Sequence, residues 1–221
     1  MQLLTNAVGR KVLMAASGLL MVLFVVVHLL GNSSIFVGPD GINAYAEKLH
    51  SLGPLVWIFR AVMLALLLVH AWFGVTLTLE NNAANPSKYA VSKKLKATFS
   101  SETMIWTGLI LLAFLVYHLL QFTVRITPDI VKGVDAQGRY DVFTMVLTSF
   151  RHTWIALVYV AAMIVLFLHL KHGIQSFFQT LGLSNDRTLP TYNALGKVIS
   201  AIFLVGYSAI PVTILAGILT K

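Results

Sequence analysis

The stretch VLFVVVHLLGN sets His28 among apolar residues, and the same setting recurs for His70 in LLLVHAWFG, His118 in FLVYHLLQF and His169 in LFLHLKHGI. An imidazole in such surroundings can hydrogen-bond between helices, move protons or ligate a metal through a neutral ring nitrogen. An ionisable group inside a membrane segment is costly without a partner, so each of these histidines is a functional candidate. The residues missing around them narrow the chemistry. The chain has no Cys, which excludes disulfides, thiolate nucleophiles, Cys-ligated iron–sulfur clusters and the CxxCH attachment of c-type haem. No Asp or Glu accompanies the histidines inside the apolar runs, which weighs against a carboxylate-rich ion site and against a proton-relay transporter.

The elements that must hold these residues are read from composition. Of 221 residues, 57% are hydrophobic and 11% charged, against about 25% charge in a soluble domain. An all-α integral membrane protein follows. A span needs about 20 mainly apolar residues, and five stretches qualify, at about 11–32, 55–79, 103–125, 153–178 and 196–219. Little chain remains outside them, so residues 1–221 are expected to form a single membrane domain with no soluble catalytic domain. Arg10–Lys11 followed by an apolar run has the order of a signal peptide. The run is long, however, and no small-x-small site follows it, so it reads as a retained first span.

The net charge of +8 is distributed by side rather than clustered for nucleic acid, and no nucleic-acid partner is expected. With the N-terminus cytoplasmic, Arg10, Lys11, Lys88, Lys93, Lys94, Lys96, Lys171, Arg187 and Lys197 fall inside, and the outer side carries the smaller positive excess. The positive-inside rule then predicts a multi-pass protein of the cell inner (cytoplasmic) membrane, N-terminus cytoplasmic and C-terminus outside. The densest basic run, SKKLK, reads as a topology determinant facing anionic lipid or as a docking surface for a cytoplasmic partner. Between the spans, INAYAEKLH is expected as a short amphipathic helix on the outer surface. TPDIVKGVDAQGRYD reads as a turn-rich outer loop, Ser100 and Ser101 as N-caps of the third span, and Pro211 as a kink in the fifth.

Depth then sorts the histidines. At 1.5 Å per residue, His28 lies roughly 10 Å and His118 roughly 6 Å outward of the centres of their spans, whereas His70 and His169 lie roughly 5 Å inward. An outer pair, His28 with His118, and an inner pair, His70 with His169, suit two haems held between facing helices by axial imidazoles. Gly31, Gly74 and Gly173 each sit one helical turn beyond a pair member and would leave room for a macrocycle. His118 has Phe122 there instead. A lone membrane histidine is as readily explained as an interhelical hydrogen-bonder; four in two matched layers are not. His172 competes with His169 but matches His70 less well in depth. His50 and His152 fall at the outer surface.

Five spans, histidines in the first four and HLKHGIQSFFQTLGL closing the fourth resemble the cytochrome b membrane-anchor subunit of succinate:quinone oxidoreductases, in the type where one chain holds two b haems. The H-x-x-x-G of His169–Gly173 favours His169 over His172. The resemblance implies that the first four helices form a haem-binding four-helix bundle. His28 and His118 would be axial to the distal haem, and His70 and His169 to the proximal one. It further implies a flavoprotein subunit and an iron–sulfur subunit on the cytoplasmic face, quinone (commonly menaquinone) as substrate, and no dicarboxylate site in this chain. Haem propionates want cationic or hydrogen-bonding groups near the membrane faces; Ser17 and Trp106 are the inner candidates, Arg60 and Arg151 the outer ones. A quinone pocket beside the distal haem would need a proton donor. Glu47 is the candidate, with Asn43, Tyr45 and His50 nearby. The alternatives are a diheme cytochrome b of another quinone-linked oxidoreductase, of the hydrogenase or formate dehydrogenase type, and a transporter with structural histidines.

Overall fold

A computed structural model describes residues 2–84 and 98–220. The basic run SKKLK, with Lys93, Lys94 and Lys96, lies outside the described residues. The chain is an all-helical, multi-pass membrane protein. Its helices are α1 (Gln2–Thr5), α2 (Ala7–Ser33), α3 (Pro39–Ser51), α4 (Pro54–Ala84), α5 (Phe99–Glu102), α6 (Met104–His118), α7 (Val142–Arg151), α8 (Thr153–Thr180) and α9 (Leu189–Leu215). Five of the helical segments among the described residues are long and apolar enough to cross a membrane, and they coincide with the expected spans. Leu23, Leu30, Leu68 and Val205 stand exposed on their outer faces, as lipid-facing residues do. Trp57, Trp106 and Trp154 are exposed near the starts of α4, α6 and α8, where aromatic belts form.

Local chemistry sets the helix ends. Asn6 caps α2 by accepting the Gly9 N–H. At the other end of α2, Ser33 and Ser34 donate to the carbonyls of Leu29 and Gly31, and a short 3-10 turn (Ser34–Val37) leads to Gly38. The φ of 101° at Gly38 is one that L side chains rarely adopt. Pro39 then opens α3 at the position where a missing N–H costs nothing. Ahead of the third span the expected caps are corrected. Thr98, not Ser100 or Ser101, is the N-cap of α5, and Ser101 closes a capping box with it. The hydroxyl of Thr98 and that of Ser101 each accept the other's backbone N–H, whereas Ser100 is buried. The third span ends in a π-helical turn, Leu119–Val124, stopped by Arg125 in the left-handed region.

Packing is uneven. Helix α8 packs most extensively on α9, and Gly196 lets them approach so closely that a Cβ there would lie 2.6 Å from the Lys171 carbonyl oxygen. Such small residues are how helices associate where burial from water gives no drive. Helix α2 packs on α4 and α6 on α8, but α4 and α6 barely touch. Helix α2 also packs on α8, so a gap opens between α4 and α6.

One end of the molecule, here termed the crown, carries α3, α7 and residues 125–141; the opposite end is the base. Helix α7 lies between the expected outer loop, which ends at Asp141, and the fourth span, and its ten residues are too short to cross the membrane. It is amphipathic, and Phe143, Leu147 and Phe150 bury against Ile35, Ile42, Ile155, Ile210 and Ile214. Asn43 ties α3 to this core. It is fully buried, its amide donates toward Asp135 and Asp141, and its oxygen accepts the Phe143 N–H. Arg139 bridges Asp135 and Asp40. At the base, Arg10 of α2 pairs with Glu80 of α4.

Burial alone would raise the Asp135 carboxyl, but hydrogen bonds from Arg139, Asn43 and backbone N–H groups hold it down to about 2. A folded value below the unfolded one contributes stability that is present above the unfolded value and lost as the group protonates in the fold. The thermal midpoint is therefore expected to fall as pH drops from about 4, the unfolded carboxyl value, to about 2. Asp135→Asn should lower the midpoint at neutral pH and flatten that acid limb. An unchanged limb in the variant, followed by circular dichroism, would contradict the role given to Asp135.

Candidate functional site

The gap is a largely apolar cavity of about 2400 Å³, well above the roughly 300–1,000 Å³ of an ordinary small-molecule site. His28, His70, His118 and His169 all line it. They meet in the pairs expected from depth: the ring centroids of His28 (α2) and His118 (α6) lie 5.9 Å apart, and those of His70 (α4) and His169 (α8) lie 6.2 Å apart. His172 also reaches the wall, but it is His169 whose ring faces His70. Among the described residues no group of three or more His, Cys, Asp or Glu converges.

A metal bound about 2 Å from one nitrogen of each ring holds two imidazole centroids roughly 6 Å apart. Edge-to-face packing of two rings gives a similar spacing, so the hydrogen bonds decide more than the distance does. His70 Nδ1 lies 2.9 Å from the Met14 carbonyl oxygen, which can only accept. Its proton is therefore on Nδ1, and Nε2 carries a free lone pair. His169 Nδ1 lies 3.1 Å from Thr107 Oγ1, whose own hydrogen is directed at the carbonyls of Thr103 and Met104. The Thr107 oxygen accepts from the imidazole, with the same result. His118 Nδ1 lies 3.1 Å from the Tyr159 hydroxyl, which donates to Gln121 Oε1 at 2.7 Å. Here too Nε2 is left free.

His28 differs. Its Nδ1 faces the Asn32 amide nitrogen at 3.3 Å, a donor that also bonds the His28 carbonyl oxygen at 2.7 Å. Ligation through Nε2 at this position needs the Asn32 amide to turn over, at the expense of the shorter bond.

The glycines give a second test of fit. Gly173 has nothing within 4 Å of a would-be Cβ, and Gly74 has only Met14 Sδ at 3.9 Å; both line the cavity. Gly31 is corrected: the Tyr45 ring already occupies the space its Cβ would take. Two glycines that histidine spacing did not single out matter more for ring position. A Cβ on Gly18 would lie 3.0 Å from His70 Cε1, and one on Gly108 would lie 3.4 Å from His169 Cε1. Each sits on the neighbouring helix at the histidine's own depth, which is the signal that could have found it.

Of the expected polar contacts, Arg60, Tyr45 and His50 line the cavity. Ser17, Trp106, Arg151, Asn43 and Glu47 do not, for identifiable reasons. Ser17 is buried with its hydroxyl donated to the Leu13 and Met14 carbonyls. Trp106 stands in the lipid-facing belt, and Arg151 and Glu47 lie exposed on the crown. Asn43 is spent on the crown core. Arg125 and Lys11, not singled out from the sequence, line the wall instead. The Arg125 guanidinium lies over the Tyr140 ring at 5.1 Å, and its buried Nε has no hydrogen-bond partner.

An apolar gap with open glycines, facing imidazoles and a guanidinium whose buried Nε has no hydrogen-bond partner fits a large planar anionic group ligated at its metal, as haem is. If haem occupies this space, Gly173→Leu should leave helical content unchanged, because nothing lies within 4 Å of an added Cβ, yet lower the haem content of the purified protein. Retention of full haem content by pyridine haemochrome assay would argue against this use of the space. The chain matches no family model, no curated protein and no solved structure.

Proposed function

We propose that the chain is the quinone-reactive membrane anchor of a succinate:quinone oxidoreductase (a succinate dehydrogenase or fumarate reductase), holding one b haem between His28 and His118 and another between His70 and His169. The observation that carries this reading is the pairing itself, two facing imidazole pairs at two depths on the wall of one apolar cavity. When bound, haem supplies reversible one-electron chemistry at each level. The protein's part is to present unprotonated Nε2 atoms on His70, His118 and His169, to keep water out with apolar walls and to neutralise propionates; at His28 the Asn32 amide must turn over first. Arg60 and Arg125 suit that last role at the crown, and Lys11 at the base.

Quinone, with menaquinone as the expected species, is assigned to the crown mouth of the cavity. His50 donates from Nδ1 to the Ala46 carbonyl at 2.8 Å and packs on Tyr140. This fixes the ring against Tyr140, and His50 and Tyr45, both on the cavity wall, are the polar groups offered toward a quinone oxygen. Glu47, off the wall, is not retained in that role. With the N-terminus cytoplasmic, the base faces the flavoprotein and iron–sulfur subunits, and the dicarboxylate chemistry belongs to the flavoprotein.

The reading is tested by a reduced-minus-oxidised visible spectrum of the purified complex. About two b haems per chain are expected. His70→Leu and His169→Leu should remove the same one, and His28→Leu and His118→Leu the other. A colourless protein in an assembled, succinate-oxidising complex would sink it. For the quinone, His50→Leu is expected to raise the KM for a menaquinone analogue several-fold with haem content unchanged, whereas Glu47→Gln should leave it alone. The reverse pattern in steady-state assays would move the pocket to the outer face of α3.

A further inference from the structure

The partner of His118 does not stop at Tyr159. Gln121 Oε1 accepts from Tyr159, and Gln121 Nε2 donates to Asp129 Oδ2 at 2.7 Å. The same carboxylate oxygen accepts from the Ser149 hydroxyl at 2.6 Å. Gln121, Ser149 and Tyr159 are all buried, the first two completely. Tyr159 is fixed sideways by edge contacts with Phe114 and Phe150, whose centroids lie 4.9 and 4.8 Å away. Gln121 sits in the π-helical turn that ends the third span, and Asp129 in the crown segment beyond it.

The direction of this string is forced from its far end. An ionised carboxylate only accepts, so the Gln121 amide must turn its NH2 toward Asp129 and its oxygen toward Tyr159. That oxygen in turn takes the single hydroxyl hydrogen of Tyr159. The tyrosine oxygen is then left to accept from His118, which places the proton on Nδ1. Asp129 stays ionised: burial would raise it, but hydrogen bonds from Ser149 and Gln121 outweigh that and hold it below the ordinary carboxylate range. Among the described residues, His70 and His169 of the other pair end instead on a backbone carbonyl and on Thr107.

We infer that Asp129 is a positioning residue for the haem at His28 and His118: through Gln121 and Tyr159 it fixes the tautomer of His118 and lends the imidazole anionic character. The inference rests on the two-haem reading. Carboxylate partners behind a ligating histidine raise its basicity, and a more basic ligand favours the oxidised metal. The string therefore makes the two haems electronically unequal and couples one of them to a carboxylate outside the membrane-spanning helices.

The test is a potentiometric titration of the assembled complex, followed in the haem absorption bands. Asp129→Asn keeps the acceptor geometry and removes the charge. It should retain two haems and shift the reduced-to-oxidised ratio of the His28–His118 haem about tenfold toward reduced at fixed ambient potential, about 59 mV for a one-electron couple. The other haem should not move. Tyr159→Phe should shift the same couple in the same direction, and Thr107→Val only the other one. Should Asp129→Asn fail to assemble, Ser149→Ala decides: it leaves the carboxylate to lean harder on Gln121 and should shift the couple the opposite way. Two haems with the His28–His118 couple unmoved in these variants would overturn the inference alone. A wild-type complex without haem would remove the functional reading beneath it, and that is visible before any variant is titrated.

Discussion

An imidazole inside a membrane must find its hydrogen-bond partners within the protein, because no water reaches it there. This constraint organises the molecule. Three of the four paired histidines satisfy it with Nδ1 alone, against the Met14 carbonyl, the Thr107 hydroxyl and the Tyr159 hydroxyl. The other nitrogen is thereby reserved for the cavity. A ring held by one atom and free at the other is a ligand prepared in advance. The helix placements, the glycines beside the rings and the crown core all maintain that condition. His28 is the exception, and its Asn32 contact marks where the protein must adjust if both sides of that pair are to ligate.

The uneven packing serves the same end. Helices α8 and α9 are closely seated through Gly196 and the buried Ser200, giving one firm wall. Helix α4 leans on α2 and scarcely meets α6, which leaves room for something other than side chains. A membrane protein can keep such a gap because lipid does not squeeze it closed as water would. The polar ties therefore sit at the ends. Arg10 and Glu80 join α2 to α4 at the base, while at the crown Asn43 joins α3 to α7, and Asp135 and Arg139 join α3 to the segment before α7. The middle is left apolar and open.

The crown is more than a lid. Its carboxylates are placed by a small hydrophobic core built on Phe143, Leu147 and Phe150. From it, Asp129 reaches through the π-helical turn to the tyrosine behind His118. A segment outside the membrane-spanning helices is thus hydrogen-bonded, through two side chains, to a buried imidazole.

Much of this was already written in the chain. The apolar runs fixed five helices, because a bilayer accepts little else, and a constant rise per residue sorted His28 with His118 and His70 with His169 by depth. Glycine spacing along one helix located Gly74 and Gly173. What one helix cannot encode is which residues of its neighbour it meets. Gly18 and Gly108, lying against histidines of other helices, emerged only from the packing, as did the replacement of Gly31's space by Tyr45. Ser17, Trp106 and Arg151 had suitable chemistry and depth but the wrong azimuth, and Arg125 had the right one. Helix α7 had no expected element, because ten residues cannot span a membrane, though its apolar face was there to be buried. Depth follows from position along the chain, which sequence determines. Rotation about the helix axis and the direction of a hydrogen bond are settled between helices, and only the tertiary structure decides them.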